Sequence, residues 1–193
     1  MKDDQYYIQD IAVMRSMMER STKFMSVSGL AGILAGIYAL AGALIAHQYL
    51  YTEGNLTGLV VTAISVLILA IGSAVFLSRK KAAKRREKAW NPTAKRLVVN
   101  MAVPLVAGGL LILIVMANGL FILMAPCTLI FYGLALFNAG KFTYEEIKGL
   151  GLIQIALGLL GASFTGYGLL CWAAGFGLAH IIYGMYIHYR YER

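Results

Sequence analysis

The sequence predicts an all-α integral membrane protein: a six-transmembrane-helix bundle built from three helical hairpins, N-in and C-in, with an N-terminal amphipathic interfacial helix. Three observations carry this reading. Hydrophobic residues fill 60% of the 193 positions and charged ones only 13%, well above the apolar share of roughly half in soluble domains. Uncharged apolar runs long enough to cross hydrocarbon recur along the chain. All 17 Lys and Arg fall in segments that one six-span layout gathers on a single face.

Taken in order, residues 1–23 form a cytoplasmic amphipathic segment. Tyr7, Ile11, Met14 and Met18 follow helical spacing while Arg15, Glu19 and Lys23 face away, the pattern of a helix lying along the inner membrane surface; a partly ordered tail is the alternative. The first apolar run, Phe24 to Leu50, is too long for the apolar region of a signal peptide and is read as a retained anchor. Further spans are expected at Leu56 to Ser78, Leu97 to Ala117, Gly119 to Ala139, Gly149 to Ser163, and Leu169 to His188. Together they make a transmembrane domain over residues 24–189, with a basic cytoplasmic loop at 79–96 and a tail at 190–193. No Lys, Arg, Asp or Glu occurs from Gly149 to Tyr189. As one helix that stretch would measure about 60 Å, twice the hydrocarbon thickness. It must fold back, and the Gly and hydroxyl residues from Ser163 to Gly168 mark the turn.

Charge tests the layout independently. Lys2, Arg15, Arg20 and Lys23 precede the first span; nine basic residues from Arg79 to Arg96 separate spans two and three; Lys141 and Lys148 separate spans four and five; Arg190 and Arg193 follow span six. The other three connections hold none, so the positive-inside rule puts both termini in the cytoplasm. Within the basic loop, Arg79, Lys80, Lys81, Lys84, Arg85, Arg86 and Lys88 are expected to contact anionic lipid head groups, each adding about 1 kcal/mol. The formal charge of +8 is thereby assigned to topology and lipid, not to nucleic acid.

Local signals add detail. Thr143 with Glu146 reads as a capping box that starts helix five. Asn91-Pro92 should stop an extension of helix two, with Trp90 as an interfacial anchor. Pro104, Gly108-Gly109 and Pro126 are candidate kinks. Small residues share a face in span one (Ser28, Gly32, Ala35, Ala39, Gly42, Ala46), span five (Gly151, Gly158, Ala162, Thr165) and span six (Ala173, Gly177, Gly184), and these faces should line helix contacts or a subunit contact.

The chemistry-bearing residues are few. All nine acidic residues lie outside the spans or at their edges, and there is no HExxH motif, P-loop or cysteine-histidine cluster, so no metal or cofactor is expected. Cys127 and Cys171 are packing residues. Ser163 and His180 superficially suggest an intramembrane serine protease of the rhomboid type. Phe164 stands where that motif needs glycine, however, and the spacing makes a poor dyad. His180 is the ionisable group deep within a span, placed on the face of Ala173, Gly177 and Gly184, at about 13 Å from the cytoplasmic boundary against about 9 Å for Gln154. Two readings stand beside each other: a proton-sensitive or solute-contacting polar site, or a neutral histidine hydrogen-bonded to Gln154 or to a carbonyl. With Asn100, Asn138 and Tyr132, these two residues make up the candidate intramembrane polar site; Asn118 is a further lining candidate. His188 is expected to be solvated near the interface, and His47 to sit at the outer end of helix one.

The opening MERSTKFMSVSGLAGILAGIYALAGALIA resembles a family of small bacterial six-span membrane proteins of uncharacterised role. The segment GLIQIALGLLGASFTGYGLLCWAAGFGLAHIIYGMYI is distantly similar to HdeD-like membrane proteins associated with acid resistance. Neither resemblance supplies site residues; both imply a multi-pass protein of a bacterial inner membrane. The expectation for function is a non-enzymatic bundle, homo-oligomeric, acting through helix-helix or lipid contacts. The alternative is a channel or carrier for a small neutral or weakly basic solute.

Overall fold

The computed structural model describes residues 24, 26–49, 55–86 and 88–193. The amphipathic segment expected over residues 1–23, and most of the connection from Tyr51 to Asn55, lie outside the described residues. Among the described residues, six helices are long and apolar enough to cross a membrane, and there is no strand.

Helix α1 covers Gly29–Gln48, α2 Leu56–Lys84 and α3 Pro92–Ala117. Helix α4 covers Met124–Ala139, led in by a 3-10 turn over Phe121–Leu123, and α5 covers Glu146–Ser163. The last rod, α6, spans Thr165–Tyr191 and is composite. A 3-10 turn over Thr165–Tyr167 leads into α-helix at Gly168–Trp172, a π-helical stretch at Ala173–Ala179, and α-helix again at His180–Tyr191. The 3-10 turn at Thr165–Tyr167 falls within the segment Ser163 to Gly168, where the sequence places a turn.

Two punctuation signals act differently from their sequence reading. Helix α2 ends at Lys84, before Asn91-Pro92, and Arg86 takes a left-handed backbone with φ of 55°. Asn91-Pro92 opens α3 instead. The Asn91 side chain accepts from the Ala94 N–H at 2.8 Å, and Pro92 occupies the first turn, where its missing N–H costs nothing. The capping box at α5 is not formed: Glu145 stands at the N-cap without a side-chain cap bond. Thr143 is fully buried and donates to the Phe24 carbonyl at 2.8 Å, tying the segment before α1 to the α4–α5 connection.

Helix α1 packs on α2 and α6, α6 on α5, α5 on α4, and α4 on α3. The closest approaches are glycine against glycine. A Cβ on Gly29 would fall 2.6 Å from the Gly184 carbonyl and one on Gly184 would fall 2.6 Å from the Gly29 carbonyl; Gly133 and Gly151 relate α4 to α5 in the same reciprocal way, at 2.6 and 2.7 Å. Such contacts substitute van der Waals packing for the hydrophobic drive that lipid does not supply. The small-residue faces are thus real packing faces, but with different neighbours on each helix. Gly151 and Gly158 face α4, Gly177 and Gly184 face α1, and Thr165 is exposed in the turn. Outward, α2 keeps only Ala82 buried, leaving Val61, Leu67, Ile68 and Phe76 among its exposed side chains.

Candidate functional site

Helices α4, α5 and α6 converge on His180. The π-helical stretch before it widens the backbone, a feature that recurs at functional sites, and brings the Gly175 carbonyl to 2.9 Å from His180 Nδ1. A carbonyl can only accept, so Nδ1 carries the ring proton and donates it to Gly175. Nε2 is left as an acceptor, and the Tyr132 hydroxyl of α4 lies 3.1 Å from it. From α5, Gln154 Nε2 donates to the same Gly175 carbonyl at 2.8 Å. The 3.2 Å separation of Gln154 Nε2 from His180 Nδ1 is then two donors converging on one carbonyl, whose two lone pairs serve both.

Aromatic rings enclose the imidazole. Phe176, one turn earlier on α6, stacks on it at 5.7 Å and 13°, Tyr132 lies 5.5 Å away, and Trp172 continues the ladder at 5.1 Å from Phe176. Gln154 is fully buried and His180 only 6% exposed. Among the described residues, two buried side-chain polar atoms have no hydrogen-bond partner, Gln154 Oε1 and the Tyr183 hydroxyl.

Of the five residues expected to form the polar site, His180, Gln154 and Tyr132 meet. Asn100 does not join them: half-buried on α3, its amide donates to its own helix, at the Arg96 carbonyl 2.8 Å away. Asn138, part-buried on α4, is not among the hydrogen-bonding partners of His180. Asn118 likewise turns back to the Ile114 carbonyl. His180 is also aimed differently from Gly177 and Gly184, since those glycines meet α1 while the imidazole reaches α4 and α5. The π turn supplies the extra rotation. Gly175, Phe176 and Tyr183 were not singled out from sequence, although Trp172, Phe176 and His180 form a visible i, i+4 stripe.

A second polar cluster lies at the end of the bundle where α1 begins and α6 finishes. Glu192 Oε1 accepts from the Gly29 N–H at 2.7 Å and from Lys81 Nζ at 2.8 Å, and Oε2 lies 2.7 Å from His188 Nδ1. Ser28, at the N-cap of α1, makes no side-chain cap bond, so the carboxylate of Glu192 takes that place at the positive end of the helix. Burial alone would raise the Glu192 pKa; the bonds from Lys81, His188 and Gly29 outweigh it and hold the carboxyl at about 2. Lys81 also donates to the Val27 carbonyl at 2.6 Å and to the Tyr144 hydroxyl at 3.1 Å. Beside them the Tyr191 hydroxyl donates to Glu146 at 2.7 Å, and Arg190 lies 3.5 Å from the same oxygen.

This cluster corrects two expectations. Lys81 has a side chain only 13% exposed and is committed to Glu192, so it is not a head-group contact; Arg79, Lys80, Lys84, Arg85, Arg86 and Lys88 are exposed. His188 is half-buried and paired with Glu192, not solvated. Among the described residues no three His, Cys, Asp or Glu side chains converge.

Fold and site together define the class: a helical bundle with six membrane-length helices and a hydrogen-bonded histidine in its interior. No family model, curated protein or solved structure matches the chain.

Proposed function

We propose that this chain is a non-enzymatic, multi-pass protein of a bacterial inner membrane, built from three hairpins with both termini cytoplasmic, acting through helix-helix and lipid contacts. One observation carries the reading: both ring nitrogens of the intramembrane histidine are engaged by protein groups, Gly175 and Tyr132. A histidine so engaged holds three helices in register and offers no free valence to a solute. The exposed basic residues from Arg79 to Lys88 suit anionic head groups on the cytoplasmic side, and the apolar outer face of α2 suits lipid or a second copy.

The test is solute flux into proteoliposomes set against thermal unfolding for His180→Ala. The packing reading expects no specific flux and a lowered Tm. A substrate crossing at a rate abolished by the substitution would overturn it.

A channel or carrier for a small neutral or weakly basic solute is the second reading, and the unpartnered Gln154 Oε1 favours it. Against it, the same oxygen lies where a Cβ on Gly175 would be only 2.5 Å away, so the gap there is closed by backbone.

A further inference from the structure

Tyr183 stands one turn beyond His180 on α6, about 4.5 Å further along the helix axis. Its hydroxyl is buried and unpartnered among the described residues. Its ring packs against a cluster that includes Leu136, Ile147, Leu150 and Ile187. Tyr132 of α4 and Tyr191 of α6 pack against the same cluster, which includes Tyr144 just before α5. Helix α1 meets α6 through Gly29, Gly32 and Gly36.

Tyr132, Tyr144 and Tyr191 all belong to hydrogen-bonded pairs already described, Tyr144 through the bond it accepts from Lys81. Tyr132 bonds to His180 in mid-span, and Tyr191 bonds to Glu146 at the charged end. Along α6, Tyr183 falls between His180 and Tyr191, and its hydroxyl is joined to neither pair. A hydroxyl both donates and accepts, and buried water sits where several such groups converge. On the other side of His180 the stacked rings of Phe176 and Trp172 carry no hydroxyl, the Trp172 indole being a donor only, and the unpartnered Gln154 Oε1 is packed against Gly175.

We propose that the Tyr183 hydroxyl is a water-binding site that completes a hydrogen-bonded path from Glu146 and Tyr191 to Tyr132 and His180, so that the intramembrane imidazole communicates with water at the charged end alone. The ligand is water itself. Along such a path each hydroxyl accepts one proton as it releases another, leaving no net charge on Tyr183. The inference is independent of whether the chain moves a solute.

Water-edited solid-state NMR of isotope-labelled protein in lipid bilayers tests it directly, with bulk water as the probe. In the unaltered chain, polarisation from water should reach the Tyr183 ring carbon bearing the hydroxyl and then His180. In Tyr183→Phe the transfer to His180 should fall at least threefold, and Tm should drop or stay level because a satisfied hydroxyl is lost. No transfer to Tyr183 in the unaltered chain overturns the proposal, a measurement that needs no variant. So does an undiminished signal at His180 in Tyr183→Phe, or a raised Tm, the response expected when a dry, unpaired hydroxyl is removed.

Discussion

Gln154 and Gly175 share one hydrogen bond and one steric limit. The Gln154 amide donates 2.8 Å to the Gly175 carbonyl, while a Cβ on Gly175 would fall 2.5 Å from Gln154 Oε1 and 2.6 Å from Leu129 Cδ2. Gly175→Ala should therefore displace the buried Gln154 and Leu129 side chains and destabilise the bundle by about 1–3 kcal/mol. Thermal unfolding in detergent would register it. The control is Gly149→Ala, where a Cβ meets nothing within 4 Å and stability should hold or rise slightly.

Removing the imidazole tests the clamp. His180→Ala deletes the bonds to Gly175 and Tyr132, each worth about 0.6–2 kcal/mol inside a membrane protein, and leaves a cavity. A loss of about 2–4 kcal/mol is expected from denaturant titration. Asn100→Ala should change stability by less than about 0.5 kcal/mol, because that amide serves only its own helix.

The Glu192 cluster predicts a pH dependence with a definite sign. Its carboxyl titrates at about 2 in the folded chain, below the ordinary value of 4.5. The unfolded state therefore binds the proton first as pH falls. Stability from this group is fully present above 4.5 and is lost progressively between 4.5 and 2. Tm measured across that window should decline in the unaltered chain. Glu192→Gln should flatten this slope and cost about 1–2 kcal/mol at neutral pH, allowing for solvent screening.

Lys81 and its neighbours should separate into two phenotypes. Lys81→Ala breaks contacts to Glu192, Val27 and Tyr144 and should lower Tm while leaving binding of anionic vesicles nearly intact. Lys80→Ala and Lys84→Ala should do the reverse, weakening vesicle binding by about 1 kcal/mol per charge without unfolding the bundle. Vesicle co-sedimentation beside thermal melting distinguishes them.

The spans could be read from sequence because hydropathy is a local property and lipid leaves a helix few alternatives. Gln154 and His180 stood out for the same reason, as polar side chains in apolar runs. What joins them could not be read. The stretch Ala173-Ala174-Gly175-Phe176-Gly177-Leu178-Ala179 carries no signature of a π turn, yet that turn aims the imidazole at α4 and α5 and supplies the shared carbonyl. Lys81 and Glu192 are 111 residues apart, and nothing local tells Lys81 from Lys80 or Lys84. Their distinction arises only when α2 overruns the membrane-length core and meets the end of α6. The supposed capping box failed because burial drew Thr143 toward Phe24, a partner supplied by tertiary contact.

The carboxylate that completes the start of α1 comes from a position 163 residues later. The leading amide of α1 therefore meets this carboxylate only once α6 has been made and has packed beside it. Closure of the bundle is a late event in assembly, and any agent holding α1 and α6 apart would catch the chain inserted but unlocked.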